Sequence, residues 1–206
     1  MKVGLYGGSF DPIHFGHLLP VRQAKEALAL DRVMYLPTAR PPHKARPLAP
    51  GWARYAMVEL ALLREEGMFA SSFEMRRERA SYTVDTVEHF RAQLPAARLF
   101  LVVGSDSYAE LPTWRAWRRI LEAVEIVILA RPGWELAAKG PGLAPELRRA
   151  LETGRARAVA NAPVGVSSTE VRRAIAAGAD HLSDLIPPLV LNYIAKYGLY
   201  RHERGS

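Results

Sequence analysis

Short, nearly continuous apolar runs alternate along this chain with longer stretches of helical periodicity, and no other feature restricts the fold as much. The runs Val3–Tyr6, Val33–Leu36, Phe69–Met75, Arg98–Val103, Glu125–Ala130 and Ala156–Ala160 read as strands. Between and after them, Phe15–Leu30, Trp52–Arg64, Val84–Leu94, Pro145–Glu152, Ser168–Ala177 and Pro188–Tyr197 carry apolar residues at helical spacing. Strands that are apolar on both sides must be covered on both faces, and helix-length connections between them imply parallel pairing. The expectation is an α/β chain. It is a Rossmann-like doubly wound, mostly parallel sheet with helices on both faces and a small helical C-terminal part. The 206 residues are expected to form one domain, with 1–160 as the core and 161–206 as the C-terminal helical part.

Composition supports a packed core and removes several chemistries. Hydrophobic residues make up 49% of the chain, too many for a disordered or collagen-like chain. There is no cysteine, which excludes a disulfide framework, a thiolate nucleophile and Cys-based metal sites. The start, Met1–Gly8, has too short an apolar run for a signal peptide, and no run reaches the ~18 residues of a membrane span. A soluble cytoplasmic protein is expected. One stretch breaks the alternation. Residues 37–51 hold Pro37, Pro41, Pro42, Pro47 and Pro50 together with Arg40, His43, Lys44 and Arg46. Regular structure is excluded there, and loops of this length are usually functional.

The formal net charge is +7, and all but five of the 28 basic residues are arginine. Arginine binds phosphate bidentately, so the surplus fits phosphorylated partners. A nucleic-acid-binding module is one such reading. Against it, Arg76-Arg77, Arg118-Arg119 and Arg148-Arg149 are spread along the chain without interleaved aromatics.

The most informative segment is Gly7-Gly8-Ser9-Phe10-Asp11-Pro12-Ile13-His14-Phe15-Gly16-His17, between the first strand and the first helix. Open α/β sheets bind ligands beyond the carboxyl ends of their strands. Gly7 and Gly8 let the backbone turn and approach a ligand. His14 and His17 are three apart and share a face near the positive end of the helix, where anions collect. The segment is neither a P-loop nor a dinucleotide fingerprint. The histidines could also ligate a metal, although no nearby carboxylate completes a site. A second segment, Val166-Ser167-Ser168-Thr169-Glu170-Val171-Arg172, opens a late helix. Ser167 with Glu170 is a capping box. The same hydroxyl-rich helix start with Arg172 also makes a phosphate site.

Gly8-x-Phe10-Asp11-Pro12-x-His14-x-Gly16-His17 resembles the signature of the nucleotidyltransferase superfamily, with Ser9 where many members have Thr. Ser168-Thr169-x-x-Arg172 resembles its second signature. Pro41-Pro42-His43-Lys44, Ser81-Tyr82-Thr83, Gly104-Ser105-Asp106-Ser107, Leu111-Pro112-Thr113-Trp114, Arg131-Pro132-Gly133 and the ending Tyr193–Tyr200 resemble the bacterial nicotinate-nucleotide adenylyltransferases. Read alone, Trp114 is as readily a core aromatic as a ligand face, and Asp106, with Ser105 competing, is a candidate N-cap for Ser107–Leu111. Likewise Tyr82 is packing, and His43 and Lys44 are solvated loop.

The resemblance implies more. ATP would be held by Gly7, Gly8, Ser9, Phe10, His14, His17, Gly104, Asp106, Ser168, Thr169 and Arg172, with His14, His17 and Arg172 catalytic. Nicotinate mononucleotide would be held by His43, Lys44, Tyr82, Thr83, Asp106, Trp114, Arg115 and Arg131. Trp114 would face the pyridinium ring, and backbone N–H groups at Thr83 and Arg115 its carboxylate. Mg²⁺ would be carried by the ATP phosphates, with no dedicated protein metal site. The implied partners are these small molecules, not nucleic acid or a membrane. An adenylyltransferase for the nicotinamide nucleotide is the nearest alternative.

Overall fold

The computed structural model describes residues 1–39, 49–77, 82–129, 142–160 and 164–201. Its strands are β1 Lys2–Gly8, β2 Arg32–Pro37, β3 Met68–Ala70, β4 Arg98–Gly104, β5 Glu125–Leu129 and β6 Ala156–Val159. They form a six-stranded sheet in the order β3-β2-β1-β4-β5-β6, and every pairing is parallel. The helices are α1 Phe15–Ala27, α2 Gly51–Leu62, α3 Thr83–Gln93, α4 Ser105–Ala109, α5 Trp117–Ala123, α6 Pro145–Glu152, α7 Ser168–Ala177 and α8 Pro188–Tyr197.

Side-chain alternation along the strands divides the core in two. Val33, Tyr35, Phe100, Val102, Val127 and Leu129 point to one face, where α1, α2, α7 and α8 contribute Leu18, Val21, Met57, Val58, Val171 and Ile194. Val3, Leu5, Leu101, Val103, Ile126 and Ile128 point to the other. They pack on Val84, Val87, Tyr108, Ile120 and Leu147 of α3 to α6. Apolar residues on both strand faces thus carry the doubly wound arrangement read from the sequence. The chain moves outward through β2 and β3 and then returns to place β4 beside β1. Connections leave β1 and β4 toward opposite faces, so a crevice opens beyond their carboxyl ends. Gly7 and Gly8 end one strand and Gly104 the other.

Local departures from the sequence reading have identifiable causes. Helix α1 stops at Ala27 rather than Leu30, because Ala29 takes a left-handed φ of 48° and turns Leu30 into the core. The expected strand Phe69–Met75 ends at Ala70, and Glu74–Arg76 form a single 3₁₀ turn. Helices α4 and α5 are too short to show periodicity in the sequence. Gly104 occupies the N-cap of α4, so neither Ser105 nor Asp106 caps it, and the helix starts two residues before the expected Ser107. Among the described residues no helix is long and apolar enough to cross a membrane.

The 3₁₀ turn buries Glu74, whose Oε1 accepts the Thr86 hydroxyl of α3 at 3.0 Å. Burial pushes the Glu74 carboxyl up to about 7, against the opposing pull of Thr86, Arg77 and Thr38. A folded-state value above the unfolded one means the native chain binds the extra proton between pH ~4.5 and ~7. Stability is therefore full below that window and falls as pH rises through it, by up to roughly 3 kcal/mol. Glu74→Gln keeps the acceptor for Thr86 without the charge. Urea midpoints should show the variant more stable than wild type at pH 8, with a flatter profile from pH 5 to 8.

Candidate active site

The turn after β1 is shaped by packing before any ligand arrives. Phe10 is fully buried at a left-handed φ of 46°, with its ring edge-on to His17 at 5.2 Å. Gly8 lies so close that an added Cβ would meet the Phe10 ring at 2.9 Å. His14 takes the N-cap of α1 in an extended conformation, and His17 occupies the third helical position. Their ring centroids lie 3.8 Å apart. The backbone N–H of His14 donates to Nδ1 of His17 at 3.3 Å. In neutral His17 this bond places the ring proton on Nε2. His17 is therefore a donor without needing to be charged. His14 is buried and His17 half-buried.

The second segment docks directly onto the first. Ser167 caps α7, accepting the Glu170 N–H, while Glu170 Oε2 accepts the Ser167 N–H and hydroxyl. The capping box is thus real, and those bonds hold the Glu170 carboxyl below its usual range. From the same helix start, the Ser168 hydroxyl donates to the Pro12 carbonyl at 3.1 Å. Arg172 donates from Nη1 to the Asp11 carbonyl at 2.7 Å and from Nη2 to the Thr169 hydroxyl at 3.2 Å. A guanidinium has five N–H donors, so these two bonds leave it capacity for an anion. Gly16 permits the close approach of the two segments. A Cβ there would lie 2.9 Å from the His14 ring and from the Val166 carbonyl.

The β4 side of the crevice has a different character. Gly104 has open space where a side chain would stand, and half-buried Asp106 follows in the first turn of α4. Thr83 is the first residue of α3, where a backbone N–H has no acceptor within its own helix. The Arg115 guanidinium stacks over the Tyr82 ring at 4.8 Å, and Tyr82 and Trp114 pack on the edge of the same core. The structure thus brings Tyr82 and Thr83 together with Trp114 and Arg115, and it brings His14 and His17 together with Ser168, Thr169 and Arg172. His43, Lys44 and Arg131 lie outside the described residues.

Two residues that shape this site were given no role in the sequence reading, although Asp11 stands within the quoted signature. The Asp11 carboxylate is 5% exposed and accepts the Ala49 N–H at 3.1 Å and the Tyr200 hydroxyl at 2.7 Å. Arg54 is 1% exposed and reaches the Ser9 carbonyl. Its one sequence signal is position: Arg54, Met57, Val58 and Ala61 form the i, i+3, i+4, i+7 stripe that α2 buries.

A parallel sheet switching direction between two glycine-ended strands, with histidines at the start of α1 and an arginine of α7 docked beside them, is the arrangement of a nucleotide-binding protein. A family model described as "Cytidylyltransferase-like" matches residues 5–174. The chain is 42% identical over 205 residues to the "Probable nicotinate-nucleotide adenylyltransferase" of Thermus thermophilus, covering 98% of this chain and 100% of the relative. It is 41% identical over 199 residues to the like-named protein of Neisseria meningitidis serogroup B, covering 97% and 98%. Its fold is similar to the Plasmodium falciparum nicotinic acid mononucleotide adenylyltransferase complexed with NaAD. The TM-score is 0.77 at 18% identity, covering 97% of both chains. The chain belongs to the cytidylyltransferase-like family, and within it to the nicotinate-nucleotide adenylyltransferases.

The spacing at Gly16 makes a direct test. Gly16→Ala forces the His14 ring or the α7 segment to move. Adenylyl transfer should fall roughly 10- to 100-fold, the cost of displacing reacting groups by about 1 Å. Circular dichroism should remain that of the wild type.

Proposed function

We propose that this chain transfers the adenylyl group of ATP to nicotinate mononucleotide, releasing pyrophosphate and forming nicotinate adenine dinucleotide. The observation that carries this reading is the full-length similarity to relatives of that name. It is supported by a crevice with a phosphate-binding side at α1 and α7 and an aromatic side at Tyr82, Trp114 and Arg115.

The acceptor's 5′-phosphate oxygen attacks the α-phosphorus of ATP in line. One P–O bond forms as the bond to the bridging oxygen of the β-phosphate breaks. The attacking phosphate is already anionic near pH 7, so neither a general base nor a covalent enzyme intermediate is required. Catalysis is positioning and charge stabilisation. His17 donates from Nε2 to a phosphate oxygen, and His14 lies beside it in the same role. Arg172, with Ser168 and Thr169, receives the departing pyrophosphate. Asp106 accepts from sugar hydroxyls. Trp114 offers its face to the pyridinium ring, a contact worth roughly 0.5–2 kcal/mol. The backbone N–H groups at Thr83 and Arg115 meet the ring carboxylate. Lys44, with His43 and Arg131, neutralises the acceptor phosphate. Among the described residues no group of three or more His, Asp or Glu is placed to hold a metal. The donors at α1 and α7 suit phosphate oxygens rather than a bare cation. A divalent cation accompanies ATP in this class of enzyme, and Mg²⁺ brought with the ATP phosphates would supply further charge neutralisation.

His17→Ala should lower dinucleotide synthesis by two or more orders of magnitude, with thermal unfolding unchanged within a few degrees. In side-by-side pyrophosphate-release assays, the acid nucleotide should be used at least ~10-fold better than the amide, because donors aimed at a carboxylate are badly matched by an amide N–H₂. Equal rates would contradict the acid assignment. A steep salt-dependent affinity for DNA would revive the nucleic-acid reading.

A further inference from the structure

Arg54 occupies a costly place. It sits in the first turn of α2, where the helix dipole disfavours a cation, and it is 1% exposed. Burial lowers its pKa, and the nearby charge of Asp11 partly offsets that. Removing one member of a buried charged set is destabilising, so Arg54 supports the fold beside Asp11 as well. What distinguishes it is where its donors go. Nη1 bonds the Ser9 carbonyl at 2.5 Å, and Nε the Ala49 carbonyl at 3.2 Å. Nη2 bonds the carbonyls of Thr38 at 2.8 Å and Ala39 at 3.4 Å. One rigid guanidinium thus holds the phosphate-binding turn, the chain leaving β2 and the chain entering α2.

We propose that Arg54 is a positioning residue for adenylyl transfer, acting through the Ser9–Phe10 turn on His17. This rests on the reading of the site given above. Ser9 immediately precedes Phe10, whose left-handed backbone puts its ring edge-on against His17. A peptide unit entering such a residue has little freedom once its carbonyl is held, and a neighbour in an unfavourable φ will relax when it is released. The carbonyl bond to Arg54 therefore keeps the Phe10 ring, and through it the His17 ring, in place. Lysine cannot substitute, because an ammonium lacks the planar fork that serves carbonyls on three segments at once.

The test compares wild type, Arg54→Lys, Arg54→Met, His17→Ala and the double variant Arg54→Lys/His17→Ala, by kcat at saturating ATP and nicotinate mononucleotide and by thermal unfolding. Arg54→Lys and Arg54→Met should fold, and kcat should fall at least ~10-fold. In the His17→Ala background the added loss from Arg54→Lys should shrink to less than ~3-fold, since both changes remove the same alignment. A scaffolding role costs the same factor in both backgrounds and would overturn the proposal. So would variants that fold with unchanged kcat, or a failure of both single variants to fold. A wild type inactive with nicotinate mononucleotide sinks the substrate reading instead. ATP titration calorimetry then decides Arg54: its change to Lys should weaken binding at least ~5-fold, and unchanged affinity refutes the role.

Discussion

The Asp11 carboxylate is buried, and segments remote in sequence converge on it. Its side chain accepts the Ala49 N–H and the Tyr200 hydroxyl, and its carbonyl accepts Arg172. Burying a carboxylate is costly unless donors meet its oxygens, and Arg54 brings positive charge nearby. Burial and the Asp11 hydrogen bond drive the Tyr200 phenol well above its usual range, so Tyr200 stays protonated and donates. The C-terminal end, the start of α2 and the start of α7 are thereby located relative to one turn of chain after β1. The side chains at the starts of α1 and α7 inherit their spacing from that arrangement.

Placement of charge follows the same logic. Among the described residues, several of the arginines behind the +7 surplus are paired with carboxylates. Arg22 pairs with Glu65, Arg98 with Glu125, and Arg118 with Glu146. With their arginines 43% and 61% exposed, the first two pairs add at most ~1 kcal/mol each, and the third lies in solvent. At the crevice, His14 is buried and Arg172 bonds the Asp11 carbonyl, so charge there lies on a partly dehydrated surface, where the same charges count for more.

Much of the fold was legible because its signal is local. The apolar strands and the helices Pro145–Glu152, Ser168–Ala177 and Pro188–Tyr197 stand where periodicity places them. The histidine pair was legible for the same reason, since its spacing sets its geometry at a helix start. Trp114 and Tyr82 were ambiguous alone, and the Arg115–Tyr82 contact brings their segments to one place. Glu74 and Arg54 were illegible as buried charged groups. Nothing in a neighbouring stretch announces that a carboxyl or a guanidinium will lose its water.

Sequence by itself determined roughly where the strands run and that the two motifs stand at helix starts, because strand burial and helix starts depend on near neighbours. Only the tertiary structure decided that Ser168 and Arg172 would meet Pro12 and Asp11 across more than 150 residues of chain. The same holds for Arg54, whose guanidinium gathers carbonyls from three segments. The physical reason is that hydrogen bonds between remote segments form only where folding has excluded water and brought their backbones together. Such pairings are a property of the packed sheet and its helices, not of any local run of residues.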